Sequence, residues 1–286
     1  MALFSSMGIV GLGVIGGSVG LGVRKRGIAA RVVGLARSER TVRNALAAKA
    51  IDEAAEDFSS LVKECDLIVL AAPVSANLAY ARAICAQKPS AFFTDAGSTK
   101  AGICAEVDRL LGTRHHFVGA HPMAGSEQTG IVHASPNLFE GNVVFLSATR
   151  QSAKEAVLRI EGFWRGLGSV TVAVDPVHHD ALVAYTSHLP HLAAFALVAA
   201  VRTVSQEPVF ASAVGKGLLD TTRIAASGGE MWADIFLDNR DFLCGALKVF
   251  QENIEHLTRL MAKNDARGLV AFLDAAAAVR RAMGKH

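Results

Sequence analysis

Gly11-Leu12-Gly13-Val14-Ile15-Gly16 follows a short apolar run, Gly8–Val10, and opens a stretch of helical texture. That order constrains the fold more than any other feature of the chain. The first glycine permits a tight strand-to-helix turn, the second lets backbone approach a pyrophosphate, and the third lets the helix pack on the strand. The helix N-terminus then offers unpaired N–H groups and a positive dipole end to the phosphates of a dinucleotide. The surrounding segment Met7–Val23 is 17 uncharged residues long, but seven of them are glycine, which a stable hydrophobic helix would not choose. No Lys or Arg precedes Arg24, so the basic leader of a signal peptide is missing.

Apolar residues make up 51% of the 286 and charged residues 19%, a balance that excludes a disordered chain. At about 150 residues per domain, the length predicts two domains. The formal charge of +3 is too small for a nucleic-acid footprint. With 14 Phe, 2 Trp and 2 Tyr, stacking platforms for single strands are poorly supplied too. Cys65, Cys85, Cys104 and Cys244 are dispersed, with no C-x-x-C. This suits a reducing cytoplasm, argues against a disulfide framework or a structural zinc, and reads as four buried, inert thiols. The other long apolar run, Leu192–Val201, falls short of the ~20 residues that cross a bilayer, so no membrane association is expected.

The first half alternates short strand-like runs with helix-like stretches. Gly8–Val10, Arg31–Leu35, Asp66–Ala72, Ala91–Thr94, Phe117–Ala120, Val143–Ser147 and Val170–Val174 read as strands. Arg40–Lys49, Ser75–Gln87 and Ser152–Leu167 read as helices. Such alternation predicts an α/β domain whose parallel sheet is covered on both faces. After Asp175-Pro176 the texture becomes helical throughout: Val183–Val201, kinked or turned at Pro190, then Phe242–Met261 and Ala266–Met283. The expected organisation is 1–175 as a dinucleotide-binding domain and 176–286 as a helical domain. The uniformly apolar Leu192–Val201 needs cover nearly all round, which predicts a homodimer through the second half.

An NAD site places Asp or Glu about 20 residues past the last glycine, against the ribose 2′-OH. Here that count reaches Ala36, followed by Arg37 and Ser38; Glu39 lies beyond the strand. Without a carboxylate to repel it, a 2′-phosphate can be held by the fork of Arg37, with Ser38 and Arg40 near, so NADP is expected rather than NAD.

Three clusters can carry chemistry: Asp95 to Lys100 at a strand end, His121 to Glu127 at another, and His178-His179-Asp180 with Thr186 to His191 on the helical side. Ligands of open parallel sheets bind beyond the carboxyl ends of strands, so two strand-end clusters facing a His-rich helix predict an interdomain cleft. His188 and His191 could also cap a kinked helix; metal is discounted, since no zincin-type spacing is present.

The motifs G-L-G-V-I-G-G-S, D-A-G-S-T-K, G-A-H-P-M-A-G-S-E, H-H-D-A-L-V-A-Y-T-S-H-L-P-H and D-T-T-R-I-A-A-S…M-W-A-D-I-F-x-x-N occur in that order, and together they span most of the chain. In them the chain resembles the prephenate/arogenate (cyclohexadienyl) dehydrogenase family of tyrosine biosynthesis. The resemblance implies an N-terminal Rossmann-type domain plus an all-helical C-terminal dimerisation domain. It also implies oxidative decarboxylation, in which hydride leaves C4 of a 4-hydroxycyclohexadienyl ring for a nicotinamide and the ring carboxylate leaves as CO2. By resemblance His121 is the base that takes the hydroxyl proton, oriented by Ser98, which also sits beside the nicotinamide. Cofactor contacts are expected from Gly11, Gly13, Val14, Ile15, Gly16, Arg37, Ser38, Pro73 and Ser98. Substrate contacts are expected from Ser126, Glu127, His188, His191 and Arg223, with Arg223 and His191 on carboxylates. His188 also reads as an orienting or core residue, and Trp232 and Asp234 as shaping groups. Lys100 is not expected to react, though its charge could attract phosphates.

Glu127 is a candidate acceptor for the ammonium that distinguishes arogenate from prephenate, and both substrates stay open. Ending at His286, the chain leaves no room for a C-terminal regulatory domain, and feedback through one is not expected. Two other functions compete: a β-hydroxyacid or imine-type NADP reductase, and a non-catalytic NADP-sensing dimer.

Overall fold

The computed structural model describes residues 3–125 and 128–283. One eight-stranded sheet organises the first compact unit, Met1–Arg240. Its strands are β1 (Phe4–Val10), β2 (Ala29–Leu35), β3 (Glu53–Ala54), β4 (Leu67–Leu70), β5 (Phe92–Asp95), β6 (Phe117–Pro122), β7 (Val143–Ser147) and β8 (Val170–Ala173). They lie in the order β3-β2-β1-β4-β5-β6-β7-β8, so the chain reverses direction between β1 and β4. In such a sheet the crevice at that reversal is where dinucleotides bind.

Strands β1 to β6 are parallel, joined through α1 (Val14–Arg26), α2 (Glu39–Ala47), α3 (Phe58–Glu64), α4 (Val74–Gln87) and α5 (Ala101–Leu111). The fully parallel sheet expected from the sequence stops there, because β7 runs antiparallel to β6, pairing His121 with Phe145. A parallel return needs a crossover element, and among the described residues of the β6–β7 connection there is only a 3₁₀ turn, Ile131–His133. Helix α6 (Lys154–Gly166) then supplies a crossover, and β8 pairs parallel with β7.

Successive strand residues point to opposite faces, and both faces are covered. Met7, Ile9, Leu67 and Val69 join Val23, Phe139, Phe163 and Trp164 on one side. Val10, Ile68, Leu70 and Phe93 join Leu61, Ile84 and Val107 on the other. Cys65, Cys85 and Cys104 are buried, but Cys244 is exposed, contrary to expectation.

The change to helices falls at residue 175. Asp175 caps α7 (Pro176–Val183) by accepting from Val177 and His178 N–H, with Pro176 in the first turn. A single π turn, Ala184–His188, follows, then α8 (Leu189–Val201), α9 (Phe210–Ala213), α10 (Lys216–Thr222) and α11 (Gly229–Asp238). Pro190 therefore neither breaks nor ends the run. It sits in the first turn of α8, just past a turn widened to i→i−5 bonding at Leu189 N–H and Ala184 C=O. The resulting run, Pro176–Val204, is 29 residues long and apolar enough to cross a membrane by length and composition, longer than Leu192–Val201 alone suggests. Three of its polar side chains, His179, Asp180 and His188, are buried in hydrogen bonds within this unit.

The compact units divide at Arg240, so α7 to α11 belong with the sheet. Asp234 on α11 accepts from Ser75 N–H at the start of α4, which ties the two together. The second unit, Asp241–His286, holds most of α12 (Arg240–Ala262) and all of α13 (Ala266–Ala282). Its helices meet through the His256 and Phe272 rings, 5.7 Å apart.

Candidate active site

The β1–α1 turn is shaped as its glycines require. Gly11 has φ +95°, and a Cβ there would lie 2.5 Å from the Ala71 carbonyl oxygen at the end of β4. At Gly16 a Cβ would fall 1.8 Å from the Gly11 oxygen, whereas at Gly13, the N-cap of α1, nothing stands within 4 Å. No side chain caps α1, so its first amides at Val14 and Ile15 face the opening without a protein acceptor from the cap. Pro73, the N-cap of α4, stands across the reversal. The cradle fits a dinucleotide pyrophosphate: an unfilled second glycine, a bare helix N-terminus and a crevice between β1 and β4.

Past the end of β2, Ser38 caps α2, accepting from Thr41 N–H at 3.1 Å. Glu39 turns to Arg43 at 3.1 Å. Arg37 is exposed and makes no hydrogen bond or ion pair among the described residues.

The carboxyl ends of β5 and β6 carry the ionisable groups. Asp95 is buried and accepts from Gly97 N–H at 2.9 Å and Ala120 N–H at 3.2 Å, which ties the two strand ends together. Lys100, which the sequence left as an attractor of phosphates, is fully buried in an ion pair with Asp95. Burial pushes the Asp95 carboxyl up, and the ammonium beside it opposes that.

His121, at the end of β6, sits 2.9 Å through Nδ1 from Nε2 of His179. His179 Nδ1 in turn lies 2.7 Å from Asp180 Oδ1. The Asp180 carboxylate also accepts from Lys100 and Ala101 N–H, each at 2.8 Å, at the start of α5. These contacts dictate the tautomers. A carboxylate only accepts, so His179 donates from Nδ1; with His179 a neutral ring its Nε2 accepts, His121 donates to it from Nδ1, and His121 Nε2 is left as a lone pair. Burial, and then the neighbouring His179, Lys100 and His188, hold the His121 imidazole well below its usual pKa, so it is neutral at neutral pH. Ser98 is half-buried at the end of β5 and makes no hydrogen bond to His121; the partner that orients the ring is His179.

On the helical side, Asn239 Nδ2 donates to the Asp180 carbonyl and to His188 Nδ1, both at 2.9 Å. His188 is therefore the Nε2–H tautomer, fully buried, with its pKa pushed down to about 4, chiefly by burial. His191 donates from Nδ1 to the Ser187 carbonyl at 2.9 Å and stacks on Trp232 at 3.7 Å. Burial and then the Arg223 charge lower the His191 pKa, so Arg223, itself exposed, sits close enough to be felt there. Ser126 and Glu127 lie outside the described residues. A cavity of about 750 Å³ opens beside Ala101, Asp108, Arg150 and Pro176 and is lined by none of the expected site residues.

A family model described as "Prephenate dehydrogenase, nucleotide-binding domain" matches residues 19–173, and one described as "Prephenate dehydrogenase, dimerization domain" matches residues 175–275. The chain belongs to the prephenate dehydrogenase family. It is 31% identical over 271 residues to prephenate dehydrogenase of Bacillus subtilis (strain 168), covering 94% of this chain and 73% of that protein. The structure of Aquifex aeolicus prephenate dehydrogenase in complex with hydroxyphenyl propionate and NAD+ matches at 31% identity and TM-score 0.89, over 98% of each chain. Synechocystis arogenate dehydrogenase matches at 26% identity and TM-score 0.80, over 97% of this chain and 99% of that one.

As a member of this family the chain is an NAD(P)-dependent oxidoreductase with a Rossmann-like domain followed by a helical one. Three residues in its site escaped sequence reasoning in their roles: His179, Asp180 and Asn239. The available signal was H-H-D directly behind the Asp175-Pro176 helix start, which puts an imidazole and a carboxylate on the first two turns of a helix at a strand-end cleft.

Proposed function

We propose that the chain oxidatively decarboxylates prephenate or arogenate, giving 4-hydroxyphenylpyruvate or tyrosine, with NADP preferred over NAD. The observation that carries this reading is the contact chain from His121 Nδ1 through His179 to Asp180, which with neutral rings leaves His121 Nε2 as the acceptor. A dinucleotide bound along Gly11, Gly13, Val14, Ile15, Gly16 and Pro73 supplies the hydride acceptor. Losing hydride leaves positive character at the carbon bearing the hydroxyl, and a neutral imidazole takes that hydroxyl proton. Ser98, at the end of the neighbouring strand, is suited to contact both substrate and nicotinamide. Loss of CO2 restores aromaticity and needs no acid from the protein. Arg223 and His191 are proposed to hold substrate carboxylate, an arrangement that relieves the burial and positive charge now opposing protonation of His191. A sensor that only bound nucleotide would have no use for a buried imidazole pair ending on a carboxylate.

NADP is favoured by Arg37, exposed and uncommitted past β2 where no acid stands, although the similar A. aeolicus structure contains NAD+. A homodimer through the helical segment is proposed from the exposed Leu197 and Val198 on α8 and Leu219 on α10, within the stretch matched by the dimerization-domain model.

Steady-state nicotinamide reduction with prephenate and with arogenate, each with NAD and NADP, tests the reading. Turnover of at least one substrate, with NADP the better cofactor, is expected; no reduction with either substrate overturns it. Arg37→Ala should raise KM for NADP roughly 10- to 100-fold, the loss of one charge-assisted contact, and leave KM for NAD unchanged. Equal losses with both cofactors would remove the 2′-phosphate role.

A further inference from the structure

We propose that the proton taken from the substrate hydroxyl does not leave its charge on His121 but is relayed, so that the imidazolium forms at His179. This inference rests on the proposed function and concerns where the charge settles. The substrate O–H bond breaks as an N–H bond forms at His121 Nε2. The N–H bond at His121 Nδ1 breaks as one forms at His179 Nε2. One proton enters the pair and none leaves, His121 returns to a neutral ring in the other tautomer, and His179 becomes doubly protonated.

The geometry makes each transfer short. The two imidazoles meet nitrogen to nitrogen at 2.9 Å, and His179 is 2.7 Å from the carboxylate that would balance its charge. Asp180 is itself held as an acceptor by two backbone amides of the first turn of α5, each at 2.8 Å, where the helix dipole favours an anion. Among the described residues, the direct partners of the two rings favour charge on His179. His121 faces Lys100 and His188 and has no carboxylate as a direct partner, whereas His179 has Asp180. Asp95 and Lys100 are paired with each other, so neither is a direct partner of the two rings. From β7, Phe145 presents only an apolar ring, 5.5 Å from that of His179 at 76°. His179 has no exposed surface, so water cannot take the proton from it directly.

His179 is thus a positioning and relay residue acting through His121. Its test is His179→Gln, whose side-chain oxygen can still accept from His121 Nδ1 but cannot take up a proton. The expected result is a kcat lower by about 10- to 100-fold with substrate KM nearly unchanged, the range of a modest general-base contribution. The acid limb of the kcat/KM profile should move to lower pH, because the remaining protonation site is the poorly basic His121. A slower enzyme that keeps its activity further into acid is not what misfolding produces. A kcat and acid limb equal to wild type, or a lower kcat with an unmoved acid limb, would overturn the relay.

If the variant does not fold, a proton inventory on wild type decides. Two protons moving in the chemical step give a curved dependence of rate on deuterium fraction; a straight line overturns the proposal. Failure here is separable from failure of the functional reading, since the latter appears as wild-type protein that reduces no nicotinamide with either substrate.

Discussion

His121→Asn should lower kcat by about 10²–10⁴-fold while leaving thermal stability and dinucleotide affinity close to wild type. The substitution isolates the chemical role because Asn preserves what the ring does structurally. Its amide N–H can still donate to His179 Nε2, so no buried acceptor is orphaned next to Asp180. What it removes is the basic ring nitrogen, for an amide does not take a proton at neutral pH. Single-turnover nicotinamide reduction, read beside a thermal melt, checks both halves. An unchanged kcat would show that another group takes the hydroxyl proton.

Lys100→Met should destabilise the fold by about 3–5 kcal/mol, the usual cost of removing one partner of a buried ion pair. Neither Lys100 nor Asp95 reaches solvent, and the Asp95 carboxylate would be left with only Gly97 and Ala120 N–H. Since Ala120 immediately precedes His121, the carboxylate also fixes the strand end that presents the proposed base. Asp95→Asn keeps an acceptor for those amides, so the double variant Lys100→Met, Asp95→Asn should be more stable than Lys100→Met alone. Urea unfolding of the two single variants and the double variant closes the cycle. Strict additivity would mean that the pair does not hold the two strands together as described.

The strands were legible because a strand buried on both faces reads as a continuous apolar run, and Leu67–Leu70 and Val143–Ser147 are such runs. Strand β3 escaped because Glu53–Ala54 is two exposed residues with no apolar pattern, defined only by pairing with Val33 and Gly34. Helix α3 is short and was passed over, although its capping box, Asp57 with Ser60, was visible as D-x-x-S. The reversal of β7 is a property of the connection before it, which carries no crossover helix among its described residues, and no residue within β7 announces it.

In the site, Gly11 and Gly16 were legible because a Cβ at either would run into backbone, and Gly13 because it leaves the helix start open. His121 was legible as a strand-end imidazole. The tautomer that would suit it to act as a base was not, since it depends on a ring 58 residues away and on a carboxylate beside that ring. Local spacing cannot report a contact made by folding a helix against the end of a sheet.

The most direct measurement is the protonation pattern of His121 in the wild-type protein at neutral pH, read from the ¹⁵N resonances of its ring. The account predicts a neutral imidazole with the proton on Nδ1 and a bare Nε2. A proton on Nε2, or a doubly protonated ring, would leave no lone pair to accept from a substrate hydroxyl and would contradict it.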